Sequence, residues 1–229
     1  MIDDSIEQRS LAWHRSRCGH FTGSRISELI PMGRAKGELF SQTGKSYIYQ
    51  VAAERLFNPS FLNDDEVFQD YIDQTSYTTK AMQWGCEMEE QAKDCFRQLH
   101  EDVEMADVAS CKHDRIPFFS ASPDGVVYER DGGEMKILEV KCPSLNTYMK
   151  YRTQIKDGDT LKAVEPKYYW QMMAEMSCTD TTSGYFIAYC PWLTKPIHCV
   201  EIIRNKEDVT HMEARVILAN SIVKTIINK

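Results

Sequence analysis

Ser122-Pro123-Asp124-Gly125 and, ten residues further on, Met135-Lys136-Ile137-Leu138-Glu139-Val140-Lys141-Cys142-Pro143 form the stretch that decides how this chain is read. A Pro-Asp-Gly turn leads into a short apolar run, Gly125 to Tyr128. Asp131-Gly132-Gly133 supplies a second turn, and Met135 to Cys142 reads as the returning strand. Alternate strand residues share a face, so Glu139 and Lys141 are predicted to point one way and Leu138 and Val140 into the core. Antiparallel return then brings Asp124 beside Glu139, fifteen residues later, at the end of the sheet. Two carboxylates that close repel, and a divalent cation is the usual way to keep both ionised. Lys141 could orient a water there or offset negative charge developing on a phosphate. The same residues also suit a plain turn followed by a Glu139–Lys141 surface pair. Pro-Asp-Gly and Glu-x-Lys each recur by accident, but their combination is much less accidental.

Working outward, 229 residues suffice for one sizeable α/β domain, and the expectation is a single domain over 1–229. With 42% hydrophobic and 27% charged residues the composition is that of a chain with a real core, which excludes disorder, collagen and coiled coil. No apolar run is long enough to span a membrane, and Met1 to Arg9 is acidic and polar, unlike a signal peptide, so a soluble cytoplasmic protein without membrane contact is expected. Eight cysteines are scattered without metal-type or cluster-type spacing and read as reduced thiols, mostly core filler. The net charge of −7 argues against a polyanionic partner, but its distribution matters more. Arg9 to Arg55 carries a balance of +5 and Leu56 to Asp107 one of −10. That segregation suits a basic groove on an acidic body, although solvated faces that differ by chance give the same totals.

The coarse order is helices, a run of strands, then helices again. Thr22-Gly23-Ser24 caps a short helix ending at Pro31; a Gly- and Lys-rich loop spans Gly33 to Gly44; a helix runs from about Lys45 to Phe57. Residues 58 to 76 read as acidic and irregular. A long helix from about Thr79 to His100 places Ala81, Trp84, Met88, Ala92, Cys95 or Phe96, and Leu99 on one stripe. Strands follow at Val103 to Ala109, Ile116 to Ala121, Gly125 to Tyr128 and Met135 to Cys142. Helices at Leu145 to Arg152 and Pro166 to Cys178, strands at Gly184 to Cys190 and Ile197 to Ile203, and a helix from Glu207 to Ile227 complete the chain. The fold class expected is α/β, a central mixed sheet flanked by helices.

The pattern Pro123-Asp124, Glu139-Val140-Lys141 resembles the signature of restriction-endonuclease-like, or PD-(D/E)xK, nucleases. Further motifs in order narrow this: Leu11-Ala12-Trp13-His14-Arg15-Ser16-Arg17, Thr22-Gly23-Ser24, Trp84-Gly85 followed by Glu89, then the two stretches above and Tyr168-Tyr169-Trp170-Gln171. Together, from about residue 11 to 176, they resemble the bacteriophage lambda exonuclease family of viral-type recombination nucleases, which includes alkaline exonucleases. Where that family carries a second glutamine after the Tyr-x-x-Gln, this chain has Met173.

The resemblance implies a restriction-endonuclease-like core and a site holding two Mg²⁺ ions, with Mn²⁺ as a substitute. Asp124, Glu139 and the Val140 carbonyl would be metal ligands, and Lys141 would position or activate the attacking water. Glu89 matches the family's additional acid beside a second metal, while Glu87 and Glu90 read as solvated helix carboxylates; a solvated Glu89 is the plain alternative. Gln171 and Tyr168 would buttress the site. Arg17, Ser24 and Ser122 match a pocket for a terminal 5′-phosphate, though Ser24 also suits a simple helix cap. Arg34 and Lys36 are candidates to line a DNA entrance, and Met82 matches an apolar wedge position. The implied activity is 5′→3′ digestion of double-stranded DNA ends in recombination by single-strand annealing. A toroidal homotrimer, an annealing-protein partner and a bacterial cytoplasm, with a phage or prophage gene, belong to the same expectation. Rival readings are a structure-specific or sequence-specific endonuclease and a noncatalytic DNA-end-binding module. Against the module, two carboxylates facing a polyanion gain nothing without a metal.

Overall fold

Residues 2–3, 6–75, 79–130 and 132–229 are described by a computed structural model. A two-residue strand β1 (Ile2–Asp3) is followed by helix α1 (Leu11–Arg17), which starts at Ser10, whose hydroxyl accepts from the Trp13 amide. Strand β2 (Phe21–Thr22) runs into a 3₁₀ helix, Gly23–Leu29. Helices α2 (Gln42–Glu54), α3 (Pro59–Asn63), α4 (Asp65–Thr75) and α5 (Lys80–Leu99) come next. Then come strands β3 (Val103–Ala106), β4 (Ser110–Lys112), β5 (Phe119–Ala121), β6 (Gly125–Glu129) and β7 (Lys136–Lys141). Helices α6 (Leu145–Gln154), α7 (Gly158–Val164) and α8 (Pro166–Thr179), strands β8 (Ser183–Tyr189) and β9 (Ile197–Ile203), and helix α9 (Lys206–Ile227) close the chain. Among the described residues no helix is long and apolar enough to cross a membrane.

The central sheet is mixed and has the order β3-β6-β7-β8-β9. Only β7 and β8 are parallel, and helices α6 to α8 make their crossover. Both faces of β7 are covered. Leu138 and Val140 pack with Ile187 against Ala92 and Phe96 of α5, while Ile137 joins Phe186 and the apolar side of α8 on the opposite face. Glu139 shares that second face and is fully buried. The sequence pattern assigns only Leu138 and Val140 to the core, yet the opposite face is buried too, which rules out a plain Glu139–Lys141 surface pair. A central strand covered by helices on both sides buries both of its faces, so alternation no longer separates core from surface. A smaller sheet, β1-β4-β5-β2, lies beside the 3₁₀ helix and α8, with β2 and β5 parallel.

Gly184 faces Ile137 across the β7–β8 pairing, and a Cβ there would meet Ile137 Cγ1 at 2.2 Å and the Ile137 carbonyl at 2.9 Å. The carbonyl belongs to a strand and cannot turn aside. Gly184→Ala is expected to cost about 1–3 kcal/mol through overpacking, read as a lower urea midpoint with an unchanged slope.

Several boundaries differ from the sequence reading. Residues 58 to 75 are helical, because Asn58 caps α3 with Pro59 at its first turn, and Phe57, Phe61, Phe68 and Tyr71 pack edge to face. Helix α1, helix α7 and strand β4 are additional, and the helix expected after Thr22 is a 3₁₀ helix whose N-cap Thr22 makes no side-chain capping bond. On α5, Ala92 and Phe96 are buried as the stripe requires, but Leu99 is exposed. Of the eight thiols, all free, only Cys111, Cys178 and Cys190 are buried, so core filling accounts for fewer than expected. In the turn between β6 and β7, Asp131 lies outside the described residues; Gly132 takes a positive φ of 83°.

Candidate active site

β6 begins at Gly125, opposite Leu138, so the residue before it stands at the end of the sheet beside β7. The Asp124 amide donates to the Leu138 carbonyl (3.0 Å), and the Val140 amide donates to Asp124 Oδ2 (2.7 Å). The aspartate side chain thus takes over the ladder where β6 stops. Amide and carbonyl of one strand residue point to the same side, so the Val140 carbonyl is directed past the end of β6 on the Asp124 side. Burial, and then the charge of Glu139, push the Asp124 carboxyl up to about 7 against the pull of Lys141.

On the α8 side of β7, Glu139 Oε1 accepts from Gln171 Nε2 (2.6 Å) and from the Lys141 ammonium, while Gln171 also donates to Glu175 Oε1 (2.9 Å). Lys141 Nζ lies 4.9 Å from the centre of the Tyr168 ring. Burial opposes the Lys141 charge, yet Glu139 and then Asp124 outweigh it and hold its pKa above the ordinary lysine value. Burial and then the neighbouring Glu139 push the Glu175 carboxyl well above the carboxylate range, and its Oε2 has no hydrogen-bond partner. Met173 is fully buried, and its sulfur accepts from the Asn205 amide (3.5 Å), so the residue in the second-glutamine position is core.

These donors fit a hard divalent cation. Glu139 Oε2 is buried without a hydrogen-bond partner, the state of an oxygen left for a ligand, and Asp124 and the Val140 carbonyl complete an all-oxygen set. Among the described residues no three His, Cys, Asp or Glu side chains group closely enough to hold a metal by themselves. Glu89 shares a cavity of about 380 Å³ with Asp124, and two cations that line the same cavity hold its carboxylate. Arg9 Nη2 contacts Glu89 Oε2 at 2.6 Å and Lys93 Nζ contacts Oε1 at 3.1 Å. Burial alone would raise the Glu89 carboxyl, but these two cations hold it below the usual range.

The second cluster lies one loop away. Arg17 Nη1 donates to Ser122 Oγ (2.7 Å), its guanidinium is 4.1 Å from the Trp13 ring centre, and Trp13 Nε1 donates to Ser122 Oγ (3.2 Å) and the Ala109 carbonyl (2.8 Å). Burial pulls Arg17 down to about 10, still charged at neutral pH. Parallel pairing of β2 with β5 sets Thr22 opposite Ser120, so Ser24 and Ser122, two residues further along each, leave the sheet at the same end. Gly23 fits there because a Cβ would come within 3.1 Å of Ala121 Cβ. Ser24 itself makes no hydrogen bond to Arg17 or Ser122. Arg34 and Lys36 are exposed on a loop whose base Arg215 ties through the Leu29 and Leu39 carbonyls, and Met82 is exposed near the start of α5.

Sequence reading overlooked Arg9, Lys93 and Glu175. Glu175 carried a signal, since it lies four residues beyond Gln171 on one helix face; Arg9 carried none.

A model of the YqaJ-like viral recombinase domain matches residues 12–182. The chain belongs to this family. The match spans every motif from Trp13 to Gln171. No curated protein matches the chain. Among solved structures, an alkaline exonuclease from Laribacter hongkongensis superposes with a TM-score of 0.74 at 24% identity, covering 96% of this chain and 95% of that one. A complex of the Laribacter exonuclease with dAMP gives 0.74 at 23% identity, with coverage of 96% and 95%. A phage-related exonuclease from Haemophilus somnus 129PT gives 0.61 at 16%, covering 91% of this chain and 95% of that one. This YqaJ-like chain thus has the fold of those exonucleases, a mixed sheet between helices.

Proposed function

We propose that the chain is a Mg²⁺-dependent exonuclease that digests double-stranded DNA ends in the 5′→3′ direction, releasing mononucleotides and leaving a 3′ single-stranded tail for annealing. The observation that carries this reading is the placement of two clusters on one loop. Ser122, held by Arg17, and Asp124, bonded to Val140, are two residues apart and so within ~7 Å along the chain. An end-phosphate pocket that near a carboxylate pair suits removal of the terminal nucleotide. The dAMP complex of the Laribacter exonuclease, a nucleoside monophosphate on the same fold, supports it.

Asp124, Glu139 and the Val140 carbonyl would hold the cation, with Mn²⁺ a serviceable replacement. A cation bound there supplies an activated water and offsets charge on the leaving oxygen. Lys141 keeps its proton, since Glu139 and Asp124 favour its charged form, and acts as a donor that orients water or phosphate oxygen rather than as a base. Gln171 fixes the Glu139 carboxylate, and Tyr168 supports the Lys141 ammonium from beneath. Arg17, with Ser122 and Ser24, would grip the terminal 5′-phosphate. Glu89 would serve a second cation.

Digestion of linear and covalently closed duplex, with and without Mg²⁺, tests the proposal. Loss of linear DNA only, and only with Mg²⁺, is expected. Cleavage of the closed circle points instead to an endonuclease, and end binding without cleavage to a noncatalytic module. The working form we propose is a ring of three subunits with an annealing protein as partner, acting in a bacterial cytoplasm. A −7 chain with one basic stretch has a small electrostatic grip that salt weakens, and enclosure of the duplex removes the need for a larger one. Light scattering is expected to give a mass near three times 26.5 kDa, and excess unlabelled DNA should not stop digestion already under way.

A further inference from the structure

Glu89 has both carboxylate oxygens occupied, Oε2 by Arg9 and Oε1 by Lys93. The two cations are not equivalent. Lys93 is buried, on the same helix, and bound to Asp107 as well (3.0 Å), so withdrawing it would strand a buried charge. Arg9 has 49% of its side chain exposed and can swing into water at little cost.

The root of Arg9, by contrast, is fixed. Its φ is 67°, a left-handed conformation that a residue with a side chain adopts only when its surroundings impose it. On one side Gln8 Nε2 donates to the Val108 carbonyl (2.5 Å) and to the carbonyl of Pro123 (2.8 Å), the residue before Asp124. On the other side Ser10 caps α1, the helix that carries Arg17. The segment is thereby latched across the wall of the cavity that Arg9, Glu89 and Asp124 share. A flexible guanidinium on a held backbone is delivered to one carboxylate in the candidate site.

We infer that Arg9 is a positioning residue that stands in for a second divalent cation at Glu89: it holds the carboxylate toward the cavity when the cation is absent and is displaced from Oε2 when the cation binds. This rests on the reading above, in which Asp124 and Glu139 take the first cation and Glu89 serves the second. Ligand exchange at Glu89 then follows from charge. A guanidinium and a divalent cation held at the same oxygen repel each other, so cation binding favours release of the exposed Arg9, while Lys93 can keep Oε1 throughout.

The test is Mn²⁺ binding to the full chain without DNA, followed by the electron paramagnetic resonance of free Mn²⁺, for the wild type, Arg9→Gly, Arg9→Lys, Glu89→Gln and Glu139→Ala. Glycine accepts a φ of 67°, so Arg9→Gly removes the guanidinium without backbone cost; an unchanged melting temperature checks this. The expected result is a second Mn²⁺ bound about tenfold more tightly by Arg9→Gly, the scale of one charge-assisted contact, with the first unaffected. Arg9→Lys should return toward the wild type, and Glu89→Gln combined with Arg9→Gly should abolish the gain. A second Mn²⁺ bound equally or more weakly by Arg9→Gly, or a gain that persists without Glu89, overturns the inference. If Glu139→Ala leaves all Mn²⁺ binding intact, or the wild type binds none, the two-cation reading fails and this inference with it. Loss of the first ion in Glu139→Ala alongside an indifferent Arg9→Gly defeats the exchange alone.

Discussion

Glu139→Ala protein is expected to bind duplex ends nearly as the wild type does and to cleave them slower by about a thousandfold or more. A metal ligand set contributes several kcal/mol of charge stabilisation, and each 1.36 kcal/mol is a factor of ten in rate. The phosphate contacts proposed for Arg17 lie elsewhere and are expected to survive. Because Glu139 is fully buried and bonded to Gln171 and Lys141, alanine also leaves those groups without their partner. Glu139→Gln, which keeps the shape, separates the two effects. It should lose cleavage and cation binding while melting closer to the wild type. Asp124→Ala should behave like Glu139→Ala, whereas Lys141→Ala should lose cleavage but retain the cation. Single-turnover digestion beside fluorescence anisotropy of a labelled duplex reads all four. Substantial Mg²⁺-dependent digestion by Glu139→Ala would remove the proposed ligand set.

Arg17→Ala is expected to erase a preference for 5′-phosphorylated over 5′-hydroxyl ends. A hydrogen bond to a charged group is worth about 1.5 to 3 kcal/mol, so roughly ten- to a hundredfold discrimination is at stake. The local frame should persist, because Ser122 Oγ still receives the Trp13 indole N–H and Trp13 stays tied to Ala109. Rates on both ends, for both proteins, decide the matter. A wild type indifferent to the phosphate, or a mutant that keeps the preference, removes Arg17, Ser24 and Ser122 from the pocket.

Legibility followed physical scale. Asp124, Glu139 and Lys141 could be picked out because turn chemistry and strand periodicity act over a few residues, and those local rules survive folding. The burial of Glu139 could not, since a strand covered by α5 and α8 obeys no two-faced pattern. Residues 58 to 75 read as irregular because their apolar residues are sparse and acidic neighbours dilute them. What holds them in helices is contact among Phe57, Phe61, Phe68 and Tyr71. Arg9 was invisible for another reason. Its partner is eighty residues away, and its positive φ adjoins a residue, Gln8, whose side chain is bonded to two distant carbonyls.

The pairing of β7 with β8 sets a timetable for synthesis. Ile137 meets Gly184 and Lys141 meets Ala188, so the strand bearing Glu139 and Lys141 gains that neighbour only after some forty-seven more residues have been made. Helix α8, with Gln171, also lies within that interval. A ribosome-bound chain that ends before Ser183 therefore has Asp124, Glu139 and Lys141 in sequence but no finished sheet to hold them, because a nonlocal parallel pairing is formed late. The proposed nuclease is therefore expected to gain activity only once β8 has been made, and a fragment ending before Ser183 is expected to leave duplex DNA undigested.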